Sequence, residues 1–255
     1  MLRFREVTKA FPGRTIALDR VTLDVPPGQF CVVLGSSGAG KSSLLRTVNG
    51  LSPPTSGAVE VDGIAVTEST FGRVRLEMAM IHQHFCLSAR LSVLTNVLAG
   101  ALSQVSTARA LLNLFPVSLQ RKACALLAHV GLGEEHLYRR ASALSGGQQQ
   151  RVAIARAFIL DPKIVLADEP VASLDGTTSL TIMELLRETS AARKTTVLCS
   201  LHQVDLARAF ADRIVGMRGG AVVYDGAPAG LSPEVLARIY GPQVGETGPY
   251  SELRS

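Results

Sequence analysis

An α/β fold with a phosphate-binding loop, an antiparallel β-subdomain and an inserted α-helical subdomain is expected for this 255-residue chain on three grounds. A glycine loop, Gly35-Ser36-Ser37-Gly38-Ala39-Gly40-Lys41-Ser42, stands between the apolar run Cys31-Val32-Val33-Leu34 and the helix-like Ser43-Leu44-Leu45-Arg46-Thr47-Val48. A second apolar run, Ile164-Val165-Leu166-Ala167, ends in the adjacent acids Asp168 and Glu169. The hydrophobic period also changes along the chain, from strand-like to helical and then to alternating strand and helix.

Up to about Asp62 the pattern is β-rich. Val21, Leu23 and Val25 alternate with Thr22 and Asp24, Pro26-Pro27-Gly28 turns the chain, and Val59 and Val61 alternate with Glu60 and Asp62. These read as hairpins beside a core sheet. From about Arg75 to Leu160 the pattern is helical, with Leu91 to Leu102 and Lys122 to Val130 broken by Phe115-Pro116 and Gly131-Leu132-Gly133. Ile164 to Ala167 and Thr196 to Cys199 are short apolar strands separated by the helical Thr177 to Arg193, a parallel βαβ pattern. Ile214 to Met217 and Ala221 to Tyr224 flank Arg218-Gly219-Gly220 as a terminal hairpin. The expected organisation is one domain: residues 1–74 and 161–240 form the nucleotide core with its β-subdomain, about 75–160 the helical subdomain, and 241–255 a loosely held polar tail.

The 26 basic and 21 acidic residues give a mild net charge of +5, scattered and without an aromatic-interleaved basic patch, so a nucleic-acid groove is not indicated. Cys31, Cys86, Cys124 and Cys199 show no paired short spacing, as expected of free thiols in a reducing compartment. The N-terminus alternates apolar and charged residues where a secretory signal would be continuously apolar. No apolar run approaches the roughly 18 residues needed to cross a bilayer, so membrane association is expected through a partner.

The chemistry resides in three motifs. Glycines from Gly35 to Gly40 let backbone N–H groups turn inward round an anion, and the following helix start adds partial positive charge. Lys41 can reach the outer phosphates of a nucleoside triphosphate and the Ser42 hydroxyl can hold magnesium. At the second motif, a buried strand delivers Asp168 at its carboxyl end, where an aspartate can hold magnesium, and Glu169 one position on can orient and deprotonate water. The third, Leu144-Ser145-Gly146-Gly147-Gln148-Gln149-Gln150-Arg151, opens a long helix with a serine and two glycines, a pattern that suits a second anion site and equally a plain N-cap with a flexible entry. His82 and His84 flank Gln83 at alternate-residue spacing; a metal site there lacks a third ligand of recognisable spacing.

These motifs, in this order, resemble the ABC-type ATPases over nearly the whole chain, and Leu144 to Gln148 matches that family's signature without substitution. The resemblance implies a P-loop NTPase core of ABC type that uses ATP and Mg2+. Gly35, Ser36, Ser37, Gly38, Ala39, Gly40, Lys41, Ser42 and Ser43 would then hold the phosphates, with Ser42, Gln83 and Asp168 at the metal. Phe11, in Lys9-Ala10-Phe11, resembles the aromatic that stacks on adenine. Gln83 resembles the glutamine that senses magnesium and the attacking water, and His202 the switch histidine at the γ-phosphate. Ser173-Leu174-Asp175 resembles the loop facing a second subunit. In this family two subunits pair head to tail, so Ser145, Gly146, Gly147, Gln148 and Asp175 would complete a partner's site, and Lys41, Glu169, Gln83 and His202 would act in hydrolysis. Two departures stand out: His82 occupies a position that usually carries an aromatic, and Gly176 follows Asp175 where proline is frequent.

Family likeness also sets the expected place and partners: the chain is expected peripherally on the cytoplasmic face of the cell (inner) membrane, with a second, identical ATP-binding subunit, integral membrane permease subunits and, through them, an extracytoplasmic solute-binding protein. Ser200-Leu201-His202-Gln203-Val204-Asp205, Glu169 to Asp175 and Leu91 to Leu102 resemble the ATP-binding subunits of phosphonate importers more closely than those for sugars or amino acids. Phosphite or another phosphorus oxyanion is the neighbouring alternative. Non-transport ABC ATPases acting on nucleic acid or protein assemblies form a different class, and they often carry two cassettes, coiled-coil inserts or basic arms, none of which occurs here. Intact Glu169 and His202 argue against a cassette that binds nucleotide without turnover.

Overall fold

A computed structural model of the protein describes residues 1–13 and 15–241, so the tail expected over 241–255 lies, apart from Gly241, outside the described residues. Among the described residues, ten strands form two sheets. The first is antiparallel: β1 (Leu2–Phe11), β2 (Thr15–Val25), β4 (Ser56–Val61) and β5 (Ile64–Ala65), in the order β2-β1-β4-β5. The second contains β3 (Phe30–Leu34), β6 (Met78–Ile81), β7 (Ile164–Asp168), β8 (Thr196–Leu201), β9 (Arg213–Arg218) and β10 (Ala221–Gly226), in the order β10-β9-β3-β8-β7-β6. All its neighbours run parallel except the final β9–β10 hairpin.

Period-two geometry explains why the central strands are apolar throughout. Along β3, Phe30, Val32 and Leu34 enter one core while Cys31 and Val33 enter the other, and in β7 Val165 and Ala167 part from Ile164 and Leu166 in the same way. One core lies between this sheet and α5 (Val117–His129), α7 (Gly146–Phe158) and α8 (Gly176–Arg193), with Leu127, Ile154, Phe158 and Ile182 fully buried. The other lies under the antiparallel sheet and α1 (Lys41–Val48), where Leu2, Phe4, Leu44 and Leu45 meet. Cys31 and Cys199 are buried and unpaired, and burial pushes the Cys31 thiol up to about 12. Among the described residues no helix is long and apolar enough to cross a membrane.

The stretch from Arg75 departs from the helical expectation. After α2 (Phe71–Leu76), β6 pairs with β7 from Met78↔Ile164 to Ile81↔Ala167, as the edge of the central sheet. A four-residue apolar run has no readable period, and here the neighbouring strand decides its conformation. The helices that follow begin with α3 (Val93–Leu98), which leads into a 3-10 turn over Ala99–Gln104. Gly100 in that turn packs on α7, where a Cβ would fall 2.5 Å from the Arg156 carbonyl oxygen. Short α4 (Thr107–Leu111) and α6 (Glu134–Leu137) complete this region, and α9 (Val204–Phe210) and α10 (Pro233–Tyr240) close the chain onto the sheet.

Candidate nucleotide site

Parallel register brings the chemistry to one edge of the central sheet. Leu34 pairs with Leu201, Asp168 with Ser200 and Ile81 with Ala167, so the phosphate loop, the Asp168-Glu169 pair, His202 and the segment carrying Gln83 all emerge at the carboxyl ends of their strands. Ligands of open α/β sheets collect at that edge.

The phosphate loop is a built cradle. Ser36, Ser37 and Gly38 are exposed at its rim, Ala39 is buried, and the Ala39 N–H donates to the Ser36 carbonyl at 3.1 Å. Gly40 has φ +104°, and a Cβ there would lie 2.3 Å from the Ala17 carbonyl oxygen. The loop therefore needs glycine at this point on two counts, backbone handedness and close approach. Lys41 is 5% exposed; its ammonium donates to the carbonyls of Gly35 at 2.8 Å and Ser36 at 3.2 Å and lies 3.4 Å from Glu169 Oε1. Ser43 follows, half-buried, in the first turn of α1.

Asp168, 6% exposed, accepts at Oδ1 from the hydroxyls of Ser42 at 2.8 Å and Ser200 at 2.9 Å. Oxygen donors of this kind suit a hard cation such as magnesium, and the Ser42–Asp168 contact brings two of the expected ligands into one place. Glu169 leaves the strand at φ +46° with its N–H donating to Ser200 Oγ at 2.9 Å. His202 Nδ1 lies 4.0 Å from Glu169 Oε2, and the Tyr240 hydroxyl of α10 donates to the His202 carbonyl at 3.3 Å. Gln83 is exposed beyond the end of β6 and makes no side-chain hydrogen bond among the described residues. It stands at the right edge of the sheet, but this arrangement does not join it to Asp168.

His82 and His84 also lie past the end of β6, so the alternating strand face that would pair them does not form. Burial lowers the His82 pKa, the charges of Arg156 and Arg46 add to that effect, and Asp168 opposes it. Arg156 of α7 donates to the carbonyls of Phe85 at 2.9 Å and Cys86 at 2.5 Å and so ties the segment after Gln83 to the helix.

The signature forms a separate structure. Ser145 caps α7: its hydroxyl accepts from the Gln148 N–H at 3.3 Å, while Gln148 Oε1 accepts from the Ser145 N–H at 3.0 Å. This reciprocal capping box satisfies the Ser145 and Gln148 amides and leaves those of Gly146 and Gly147, in the first turn, without an intrahelical acceptor. A Cβ on Gly147 would lie 2.7 Å from Thr178 Cγ2, so that side chain would have to shift, and one on Gly146 would touch Leu174 at 3.4 Å. Asp175 caps α8, accepting from the Thr178 N–H at 2.9 Å and its hydroxyl at 2.7 Å, and these bonds hold its pKa below the usual range. Gly176, in place of the proline frequent at this position, begins α8 without loss of that cap. Ser145, Gly147, Arg151, Ser173 and Asp175 line one polar cleft of about 500 Å3, and no phosphate-loop residue lines it. Phe11 ends β1 with 43% of its surface exposed and the Lys9 ammonium 5.2 Å from its ring centroid.

Ser200, Arg156 and Tyr240 hold parts of the site in place, and none of the three motifs assigns them a role. A polar residue inside the apolar run Val197-Leu198-Cys199-Ser200-Leu201 was a usable signal for the first. The other two act through backbone carbonyls of distant segments, which leave no local trace.

Known proteins share this organisation. Two curated relatives, each named a phosphonates import ATP-binding protein PhnC, come from Hydrogenovibrio crunogenus and Thiobacillus denitrificans. The first is 49% identical over 240 residues, covering 94% of this chain and 88% of the relative. The second is 51% identical over 242 residues, covering 94% and 92%. Among solved structures, the ATP-binding cassette MJ0796, in a dimeric post-hydrolysis state bound to ADP and Pi, superimposes with TM-score 0.78 at 32% identity over 89% of this chain and 99% of the cassette. CbiO1 of Clostridium perfringens superimposes with TM-score 0.79 at 27% identity, covering 92% and 90%. The ABC transporter family profile matches residues 18–172, a span that holds the phosphate loop, the signature and the Asp168-Glu169 pair, and the chain belongs to the ABC transporter family.

Proposed function

We infer that this chain is the ATP-hydrolysing subunit of an importer, coupling ATP binding and hydrolysis to uptake of phosphonates. The observation that carries the ATPase half is the hydrogen-bonded set Ser42–Asp168–Ser200–Glu169, with Lys41 at its edge, on the carboxyl ends of parallel strands. The cargo rests on the relatives, which are phosphonate import proteins by name at about half identity over nearly full length.

The residues suggest a sequence of events. The backbone amides from Gly35 to Gly40 and the Lys41 ammonium hold the triphosphate, and Lys41 leaves its own loop carbonyls and Glu169 to do so. Ser42 and Asp168 would hold magnesium, with Gln83 approaching from the post-β6 segment. Magnesium, when bound, supplies charge neutralisation across the outer phosphates. Once released from Lys41, Glu169 orients the attacking water and accepts its proton, and His202 beside it steadies the γ-phosphate. Phe11 offers its exposed ring to the adenine. In a head-to-tail pair the Ser145 hydroxyl and the amides of Gly146 and Gly147, with Gln148 and Asp175, close the site from the second copy. Ordering of the Gln83 segment passes through Arg156 to α7 and the helices facing the permease, and differential affinity for ATP drives the change. The subunit thus works peripherally on the cytoplasmic face of the membrane, and a solute-binding protein acts beyond the permease.

The deciding experiment purifies the chain with its membrane partners and cognate binding protein and measures ATP turnover with candidate solutes. Stimulation by a phosphonate supports the reading. Stimulation by phosphite alone would move the cargo to that oxyanion, and stimulation only by a sugar or amino acid would sink it.

A further inference from the structure

Ser200 is a fully buried hydroxyl near the end of β8, opposite Asp168 in the parallel ladder. Its hydrogen-bonding capacity is committed in two directions. The hydroxyl proton goes to Asp168 Oδ1 at 2.9 Å, and an oxygen lone pair takes the Glu169 N–H at 2.9 Å. Ser42 donates to the same Oδ1 at 2.8 Å, and Oδ2 accepts no hydrogen bond among the described residues. One face of Asp168 is therefore occupied by two hydroxyls while the other is free for a cation.

The second bond acts on the backbone. Glu169 is a non-glycine residue at φ +46°, a conformation that persists only where its surroundings enforce it. The N–H held by Ser200 is the amide of that strained residue, so the bond helps to set the direction in which the Glu169 side chain leaves the strand. That side chain sits between Lys41 at 3.4 Å and His202 at 4.0 Å.

We propose that Ser200 is a positioning residue for ATP hydrolysis, a single hydroxyl that couples the aim of the cation-side carboxylate, Asp168, to that of the water-side carboxylate, Glu169. The inference rests on the reading of Glu169 as the group that activates water. A serine that only satisfies a buried turn would affect folding and leave the chemical step alone. A positioning serine acts on turnover more than on nucleotide affinity, because among the described residues its hydroxyl bonds Asp168 and Glu169 and makes no hydrogen bond to the phosphate cradle from Gly35 to Gly40.

The test compares Ser200→Ala, Ser200→Thr and Glu169→Gln in the full chain, measuring melting temperature, kcat and KM for ATP well below the melting transition. The expected result is a fall in kcat of about tenfold for alanine, the usual scale for a group that orients a ligand from behind, with KM changed less than twofold and threonine recovering most of the loss. Should alanine not fold, Ser200→Cys keeps the volume with a much weaker donor and is expected to show the same split. Unchanged kcat in a folded alanine or cysteine variant, beside an inactive Glu169→Gln, overturns the role of Ser200 alone. A folded threonine variant as slow as alanine also overturns it. Full turnover by Glu169→Gln removes the premise, and with it this inference.

Discussion

The Lys41 ammonium and the Glu169 carboxylate form an ion pair at 3.4 Å, with the lysine side chain 5% and the glutamate 20% exposed. On the proposed reading the pair holds the cation that binds phosphate against the group that activates water, and ATP would have to separate them. Removing the negative charge eliminates that competition and the repulsion between carboxylate and γ-phosphate. Glu169→Gln is expected to bind ATP about three- to tenfold more tightly, a gain on the order of 1 kcal/mol after solvent screening. Equilibrium titration of dilute protein without magnesium, which keeps hydrolysis and pairing out of the reading, checks this; equal or weaker affinity would contradict the exchange.

Two loop glycines should separate in denaturant. At Gly40 a side chain meets both a positive φ of 104° and the Ala17 carbonyl at 2.3 Å, whereas Gly38, at φ +80°, opens onto free space. Gly38→Ala is expected to cost about 1 kcal/mol of left-handed strain, and Gly40→Ala about 3 kcal/mol or more once backbone must also shift. Urea unfolding of the two variants measures the difference. Equal losses would mean that the approach to Ala17 is loose.

Gln150 lies fully buried in α7, and neither its amide nitrogen nor its oxygen has a partner among the described residues. It falls one turn beyond Gly146 and Gly147, on the face that meets Leu174 and Thr178. An apolar group of similar shape avoids the desolvation of an amide, so Gln150→Leu is expected to raise stability by about 1 kcal/mol. A lower melting temperature would reveal a bond that the amide makes in solution.

Acid stability should depend on Asp212, whose carboxylate takes both guanidinium nitrogens of Arg187, at 2.6 and 2.8 Å, and the Phe30 N–H at the start of β3, at 2.8 Å. The Arg187 bond, ahead of the Phe30 amide and the arginine charge, holds its pKa below the carboxylate value of 3.8. A depressed folded pKa gives stability that is present above the unfolded value and disappears as pH falls through the lower folded value. Asp212→Asn should therefore be less stable than the parent near pH 7, by about 1 kcal/mol given the pair's partial exposure, and the gap should narrow as pH falls below 3.8 and through the lower folded value. Urea midpoints at pH 7 and pH 3 test both the sign and the window; a constant gap would remove the ionic contribution.

Contiguous residues made the chemistry legible. Gly35 to Ser42, Leu144 to Gln148 and Asp168-Glu169 each carry their meaning within a few positions, because a loop, a helix cap and a strand end are set by local backbone geometry. The alternating and continuous apolar runs likewise foretold the two kinds of sheet and the helix Thr177 to Arg193, which the structure extends by one residue as α8. Partners remote in sequence were silent. Met78–Ile81 became a strand because β7 lay beside it, and Ser200 met Asp168 and Glu169 across 32 and 31 positions because β7 and β8 pair in one register. Spacing along the chain specifies which groups are present, whereas strand register and the packing of α7 specify which groups touch. Register is a property of two segments together, so neither segment alone could have revealed the hydroxyl that links the two carboxylates.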